Sequence, residues 1–530
     1  MEAEKKALQR ALCKIRTLEK KVVVLKEKNK ETSIKLNKSK KRTRCLERSR
    51  DNWKLKSTGK TGVIKQLKKK IDRLEKPKHH TYSFDIIKLS VQLRTIGRCS
   101  YGGICRILMI LQLSGYLRLG RLPCANTIQN WVAKQGLNEL NTGHKTLANK
   151  EVCLIIDESI KVGEEKMLLV LACPAFPAYK SDKLPKKGAS IDCTKAKKKL
   201  GSGLTFKDVK VVHIEGRKSW KGEAIKEVIL DLNKKKGIDC SYILSDQGSN
   251  LKNAASLLEV LHVPDISHAI GSCLRHTYKK DPTYEGFIKL VGKYQSKCVN
   301  QSLTYLRPPK QRSKARFMNQ QAVVDWGMSL LNIYPKLTEK EQLFFVELTD
   351  YKLIINILDF CLQLAKQIVL PLKTLGLNKE TLAYAYANLE LAKLVKSKKF
   401  DFLKDKFLAR LEQYLLQYEQ IIEIANIPLG QAINVCSDVI ESEFGFYINI
   451  IASNPLVGVS LTALEIPING IKPEDFEEQL WQALEVISIA DLNKWKTENA
   501  TENQAGKRNE MLGKRVAREQ QLERMRAINV

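Results

Sequence analysis

The chain has 530 residues, 43% of them hydrophobic, with 91 Lys+Arg against 57 Asp+Glu and a formal net charge of +34. That length excludes a peptide or a lone small module and leaves room for several cores. The charge attracts a polyanion, nucleic acid ahead of an anionic membrane surface. The longest apolar stretch, 351–372, is broken by Lys352, Asp359 and Lys366, so it falls short of the roughly 20 apolar residues that span a bilayer. The first residues, MEAEKKALQRALCK, lack a signal peptide's apolar core, and the 13 cysteines form no CxxC pair. A soluble, cytoplasmic chain with free thiols is expected.

Residues 1–80 hold 28 basic and 9 acidic residues, more than half of the net charge. Leu8, Ile15, Leu18, Val22 and Leu25 follow a seven-residue repeat, as do Ile64, Leu67, Ile71 and Leu74 before Pro77, which predicts a coiled-coil arm over 1–78 in two helical pieces. Such an arm dimerises and contacts phosphates without regard to sequence; a solvated charged helix is the plainer alternative. Residues 82–145 form a second unit, with amphipathic helices over 85–93 and 100–113, Ser100 placed to cap the latter. After the break GRLP a third helix begins at Cys124. Asn126, Thr127, Gln129 and Asn130 stand on its first turns and Ile128, Trp131 and Val132 on its apolar stripe. Short amides and hydroxyls there are what a recognition helix offers base edges, and the T-I-x-N-W pattern resembles the helix-turn-helix segment of many bacterial transposases. An ordinary three-helix packing unit would look the same.

From residue 150 the pattern changes to short apolar runs. CLII at 153–156 leads into Asp157, and MLLVLAC at 167–173 reads as its hairpin partner. Next comes the basic run 180–199, eight lysines against two aspartates, with Lys197, Lys198 and Lys199 as candidate phosphate contacts. VKVVHIE at 209–215 is a third strand, a helix ends at Gly237, and a fourth strand at 242–244 delivers Asp246. In this β-β-β-α-β-α order a crossover lays the fourth strand parallel to the first, bringing Asp157 and Asp246 together. Paired carboxylates repel unless cations neutralise them, and two Mg²⁺ or Mn²⁺ ions on oxygen ligands serve phosphodiester displacement. Caps or turn formers at strand ends are the plainer reading of either aspartate.

The layout resembles the ribonuclease-H-like fold of DDE transposases of bacterial insertion-sequence type, over roughly residues 85–470. CSDVIESEFGFY at 436–447 resembles their S-x-x-I-E-S-x-F-G helix, which implies Glu441 as the third metal ligand, with Asp438 as runner-up. Asp265-Ile266-Ser267-His268 matches the C/D-x-x-H motif of the hAT and Mutator superfamilies; by that resemblance His268 orients DNA or supports the metals, with Asp265 beside it. Cys273 and His276 add too few partners to His268 for a structural zinc site. The long gap before Glu441 reads as an all-helical insertion over 284–430, where Trp326 is a core residue ahead of a base-stacking one.

The expected architecture is α/β: a ribonuclease-H-like mixed sheet over 150–283 and 431–495, interrupted by the insertion, preceded by the arm and the helix-turn-helix unit, and followed by a charged tail over 496–530. The expected activity is that of a DDE transposase: Asp157, Asp246 and Glu441 hold two metal ions, and the partners are terminal inverted repeats, target DNA and a second copy of the chain, near the nucleoid. A transposase-derived DNA-binding protein without chemistry is the alternative, and a nuclease of RNA–DNA hybrids on the same fold a third.

Overall fold

The computed structural model describes residues 76–147, 150–158, 165–185, 203–310, 320–395, 401–451 and 458–501, with Leu200 and scattered residues toward both ends. Most of the expected coiled-coil arm falls outside them, though Leu18, Val22 and Leu25 of its seam are described as helical and exposed; Lys197, Lys198 and Lys199 fall outside as well. Two compact units divide the chain, one of residues 1–76, 81–86 and 108–120, the other of 77–80, 87–107 and 121–530. The sheet and every candidate site residue belong to the second.

Three helices precede the sheet: α1 (Phe84–Thr95), α2 (Tyr101–Leu113) and α3 (Ala125–Thr142). Ser100 Oγ accepts the Gly103 N–H at 3.0 Å, as a cap does. The first turn of α3 is open, but every residue from Trp131 to Leu140 is buried. The helix packs on the helix Phe476–Val486 and on the turns Leu461–Glu465 and Pro467–Gly470. A Cβ on Gly136 would sit 1.7 Å from the Leu464 carbonyl oxygen, so glycine is what permits this approach.

The molecule is mixed α/β around a five-stranded mixed sheet. Its strands are β1 (Val152–Glu158), β2 (Lys166–Pro174), β3 (Lys210–Arg217), β4 (Cys240–Ser245) and β5 (Leu261–Pro264), in spatial order β3-β2-β1-β4-β5. β1–β2 and β2–β3 pair antiparallel, β1–β4 and β4–β5 parallel. β5, which is only four residues long, carries no alternation that sequence could show. Between β3 and β4 runs α4 (Gly222–Lys236), stopped by Gly237 in the left-handed conformation with its N–H on Asn233 O. α5 (Ser249–Leu257) follows β4.

Side chains alternate across the sheet. Leu154, Ile156, Leu168, Val170 and Ile243 face α4 and α5. Cys153, Ile155, Leu169, Leu171, Tyr242 and Leu244 face the larger core. That core also takes in α6 (Ile266–Tyr278), α7 (Pro282–Asn300), α8 (Gln320–Ile333), α9 (Glu339–Phe345), α10 (Lys352–Leu375), α11 (Lys379–Leu394), α12 (Asp401–Ala425) and α13 (Asp438–Ile451). From α7 to α12 the described residues are helical or loop, apart from Leu377, which makes an isolated bridge to Ile433 beyond them. Trp326 is half-buried there, its Nε1–H on Leu306 O at 2.9 Å. Residues 339–375 are long and apolar enough to cross a membrane by length and composition, but half of their apolar 18-residue stretch is buried in the fold. α14 (Phe476–Val486) and α15 (Ile489–Asn499) close the described chain.

Candidate active site

The strand register brings the two aspartates together. Ile155 pairs with Leu244 in the parallel β1–β4 ladder, and Asp157 and Asp246 each lie two residues further on. The two-residue period turns both side chains to the face that carries Ile155 and Leu244, the face covered by α6 and α13. Asp157 Oδ1 accepts the Glu158 N–H and Asp246 Oδ1 the Gly248 N–H, both at 2.8 Å. Burial first, then the charge of Asp246 and more weakly Glu441, push the Asp157 carboxyl up to about 7, against the Glu158 N–H and His268. A carboxyl held half-neutral at pH 7 beside a second aspartate is a site short of positive charge.

α13 supplies the third carboxylate. Its Ile440 and Phe444 are buried, while the Glu441 side chain is 47% exposed, on a face beside β1. Glu441 Oε1 lies 2.8 Å from Nε2 of His268, two residues into α6. The Glu441 hydrogen bond leads in raising the His268 imidazole to about 9, with Asp265 and Asp246 adding to it against burial. His268 is therefore imidazolium at neutral pH and donates from Nε2. Asp157, Asp246, Glu441 and His268 thus form one group, drawn from β1, the residue after β4, α13 and α6.

Asp265 works beneath that group. It is fully buried at the N-cap of α6, where Oδ1 accepts the His268 N–H at 2.8 Å. Its Oδ2 accepts both the N–H and the Oγ–H of Ser437, at 2.6 and 2.9 Å. Ile266 N–H adds a bond to Val435 O at 2.9 Å. One carboxylate therefore fastens the start of α6 to the residue before α13, holding His268 opposite Glu441.

The other acids of α13 are engaged elsewhere. Asp438 meets Lys373 Nζ at 2.5 Å and the Ser267 hydroxyl at 3.1 Å; burial pushes its carboxyl up, but Lys373 and the hydrogen bonds hold it below the usual range. Glu443 is buried, is pushed up to about 8 by that burial, and accepts from Asn469 Nδ2 at 2.8 Å. Asp265, Cys436 and Asp438 place donor atoms within 4.8 Å of one another. Asp265 is saturated with N–H and O–H donors, Asp438 already has an ammonium partner, and burial pushes the Cys436 thiol up, away from the thiolate a metal takes. Asp157, Asp246 and Glu441 offer only oxygen, the donor type a hard divalent cation takes, but among the described residues their donor atoms are not within 4.8 Å of one another, and Glu441 is itself paired with His268.

No known family model matches the chain, and no curated protein matches it.

Of the residues singled out for base contact, Asn126 is exposed, and Thr127, Gln129 and Asn130 are partly so. Gln129 Nε2 reaches Thr462 Oγ1 at 3.5 Å, and Thr127 Oγ1 lies 3.2 Å from Cys124 Sγ. Among the described residues no hydrogen bond links these four to the carboxylate group. Sequence reasoning missed Ser437, Lys373 and the Tyr414–Gln247 hydrogen bond of 3.4 Å next to Asp246. A serine just before a helix is a cap signal that could have flagged Ser437; Lys373 and Tyr414 carry no local signal.

Proposed function

We propose that the chain is a DNA transposase of DDE type, a ribonuclease-H-like enzyme that cuts phosphodiesters at transposon ends and joins the freed 3′-OH to target DNA. The single observation that carries this reading is the convergence of Asp157, Asp246 and Glu441 at one end of a sheet ordered β3-β2-β1-β4-β5. The parallel pairing of β4 beside β1, with β2 antiparallel on the other side of β1, supports this reading. Two Mg²⁺ or Mn²⁺ ions, held by Asp157, Asp246 and Glu441, would supply the positive charge that stabilises the attacking and leaving oxygens.

The chain's own residues do the rest. Asp157 is fixed by the β1 backbone and the Glu158 N–H, and Asp246, directly after β4, by the Gly248 N–H, so their oxygens need little reorganisation. Glu441 lies on a helix face open to solvent, where a phosphodiester can approach. His268, kept cationic by Glu441, places a proton donor beside that approach and can pair with a phosphate oxygen. The Asp265 clamp keeps His268 and Glu441 in register. The exposed first turn of α3 is the candidate for base contact in a helix-turn-helix arrangement, and the basic arm for sequence-independent contact and pairing of two copies.

The test is an excision assay on a plasmid that carries this reading frame's own flanking DNA. Mg²⁺- or Mn²⁺-dependent cleavage is expected, abolished by Asp157→Ala, Asp246→Ala or Glu441→Ala with DNA binding retained. An Asp246→Ala protein that still cleaves would refute the assignment. DNA binding without nicking at any divalent concentration would point to the DNA-binding protein without chemistry.

A further inference from the structure

We propose that the solvent-facing flank of α6, together with Arg410 of α12, is a phosphate track for the nucleic-acid strand that leaves the acidic site. This rests on the reading above and names how its substrate is held. His268, Ser272, Arg275 and Lys279 follow one another at spacings of four, three and four residues, which places them on one stripe of α6. Arg275, His276 and Lys279 are exposed and Ser272 is partly so. At 1.5 Å rise per residue, Arg275 lies about 10 Å and Lys279 about 16 Å along the helix from His268.

α12 reaches the same place from the other side of the site. It packs antiparallel on α6: Tyr418 donates to Pro264 O at 2.8 Å just before α6 begins, while Arg410 acts on Cys273 and His276 further along. Tyr414, one turn from Arg410, donates to Gln247, the residue after Asp246. Both helices therefore run from the acidic group to one cationic cluster.

The cluster has no counter-charge of its own. Among the described residues no ion pair reaches Arg275, Lys279 or Arg410, and Arg410 Nε is buried without a hydrogen-bond partner. The nearby acids have other partners: Glu412 meets Lys393 at 2.8 Å, Glu419 accepts from Tyr386 at 3.2 Å, and Asp281 caps α7 through the Tyr284 N–H. The C-terminal dipole of α6 accounts for cations in its own last turn. It does not account for an arginine brought beside them by a second helix. Phosphates recur every 3.4 Å along one strand of a duplex, so the track would meet the backbone roughly three to five nucleotides from the cleaved bond.

The experiment uses the full chain in EDTA, where cleavage cannot contribute, and follows binding of a labelled duplex between 50 and 200 mM salt. The variant is Arg275→Gln/Lys279→Gln/Arg410→Gln. Three lost phosphate contacts lower the salt slope by about 2.7, so affinity falls about 40-fold less than wild type's over that fourfold change in salt. Mn²⁺ binding should be unchanged, since no ligand is altered. If the triple variant melts early, Arg275→Glu alone, at an exposed position, must still weaken binding and flatten the slope. An unchanged slope overturns the track, whether or not the protein cleaves DNA. Polyglutamate bound as tightly as the duplex, and lost equally in the variant, overturns it in favour of an acidic peptide. A flattened slope in a protein that never cleaves DNA supports the track and removes the nuclease reading instead.

Discussion

Replacing Asp157 by Asn is expected to stabilise the metal-free protein at pH 8, the opposite of the usual effect at a largely buried polar position. The Asp157 carboxyl rises from 3.8 to about 7 on folding. Between those values the folded state binds the extra proton, so stability falls as pH rises through the window and the whole loss is present above pH 7. At about 1.4 kcal/mol per unit the carboxylate costs on the order of 4 kcal/mol at pH 8 and little near pH 4. Asn removes the charge and keeps the shape; its amide must still find partners, so a net gain of roughly 2 to 3 kcal/mol at pH 8 is expected, shrinking toward pH 5. His268 adds a second pH dependence: raised to about 9, it loses its contribution as pH rises through that value, and this part survives in the variant. Urea denaturation in EDTA from pH 5 to pH 10 measures both pH dependences, and a parallel series at pH 8 in Mn²⁺ without chelator measures the effect of the metal. Mn²⁺ should stabilise the wild type at pH 8 and leave Asp157→Asn almost unmoved. A variant that is destabilised equally at pH 5 and pH 8 would refute the claim that Asp157 is held against its neighbours.

Three other perturbations test the frame around the site. Glu465 is buried and accepts from Arg94 Nε and Nη2 at 2.8 and 2.9 Å and from Tyr101 Oη at 2.6 Å; Glu465→Ala strands a buried guanidinium and should cost about 3 to 5 kcal/mol in denaturant unfolding. Gly136→Ala must push the Leu464 carbonyl away from α3 and should cost about 1 to 3 kcal/mol, read as a lowered melting temperature, whereas Gly102→Ala, with open space around it, should not. Asp265→Ala removes three hydrogen bonds, the cap on α6 from the His268 N–H and two from Ser437 just before α13. It should cost about 2 to 3 kcal/mol and weaken Mn²⁺ binding, because Glu441 loses its register. Mn²⁺ affinity equal to wild type in a folded Asp265→Ala protein would contradict the clamp.

Local pattern alone determined much of the sheet. Short apolar runs at 153–156, 167–173 and 209–215, with a helix ended by Gly237, are enough to set the succession β1 to β4, and with β4 laid parallel beside β1 they turn Asp157 and Asp246 to one face, because side-chain direction in a strand depends only on residue parity. Length and periodicity likewise made 284–430 helical. Tertiary structure decided what parity and period cannot reach. β5 exists because four residues found an edge beside β4, and α3 is buried from Trp131 to Leu140 because segments more than 300 residues later close over it. Glu441 rather than Asp438 acts on Asp157, while Asp438 pairs with Lys373, 65 residues away, and Asp265 serves as a clamp because Ser437, 172 residues on, meets it. Hydrogen bonds between such distant residues leave no periodic trace in the chain; they arise only when packing has already brought the partners within 3 Å.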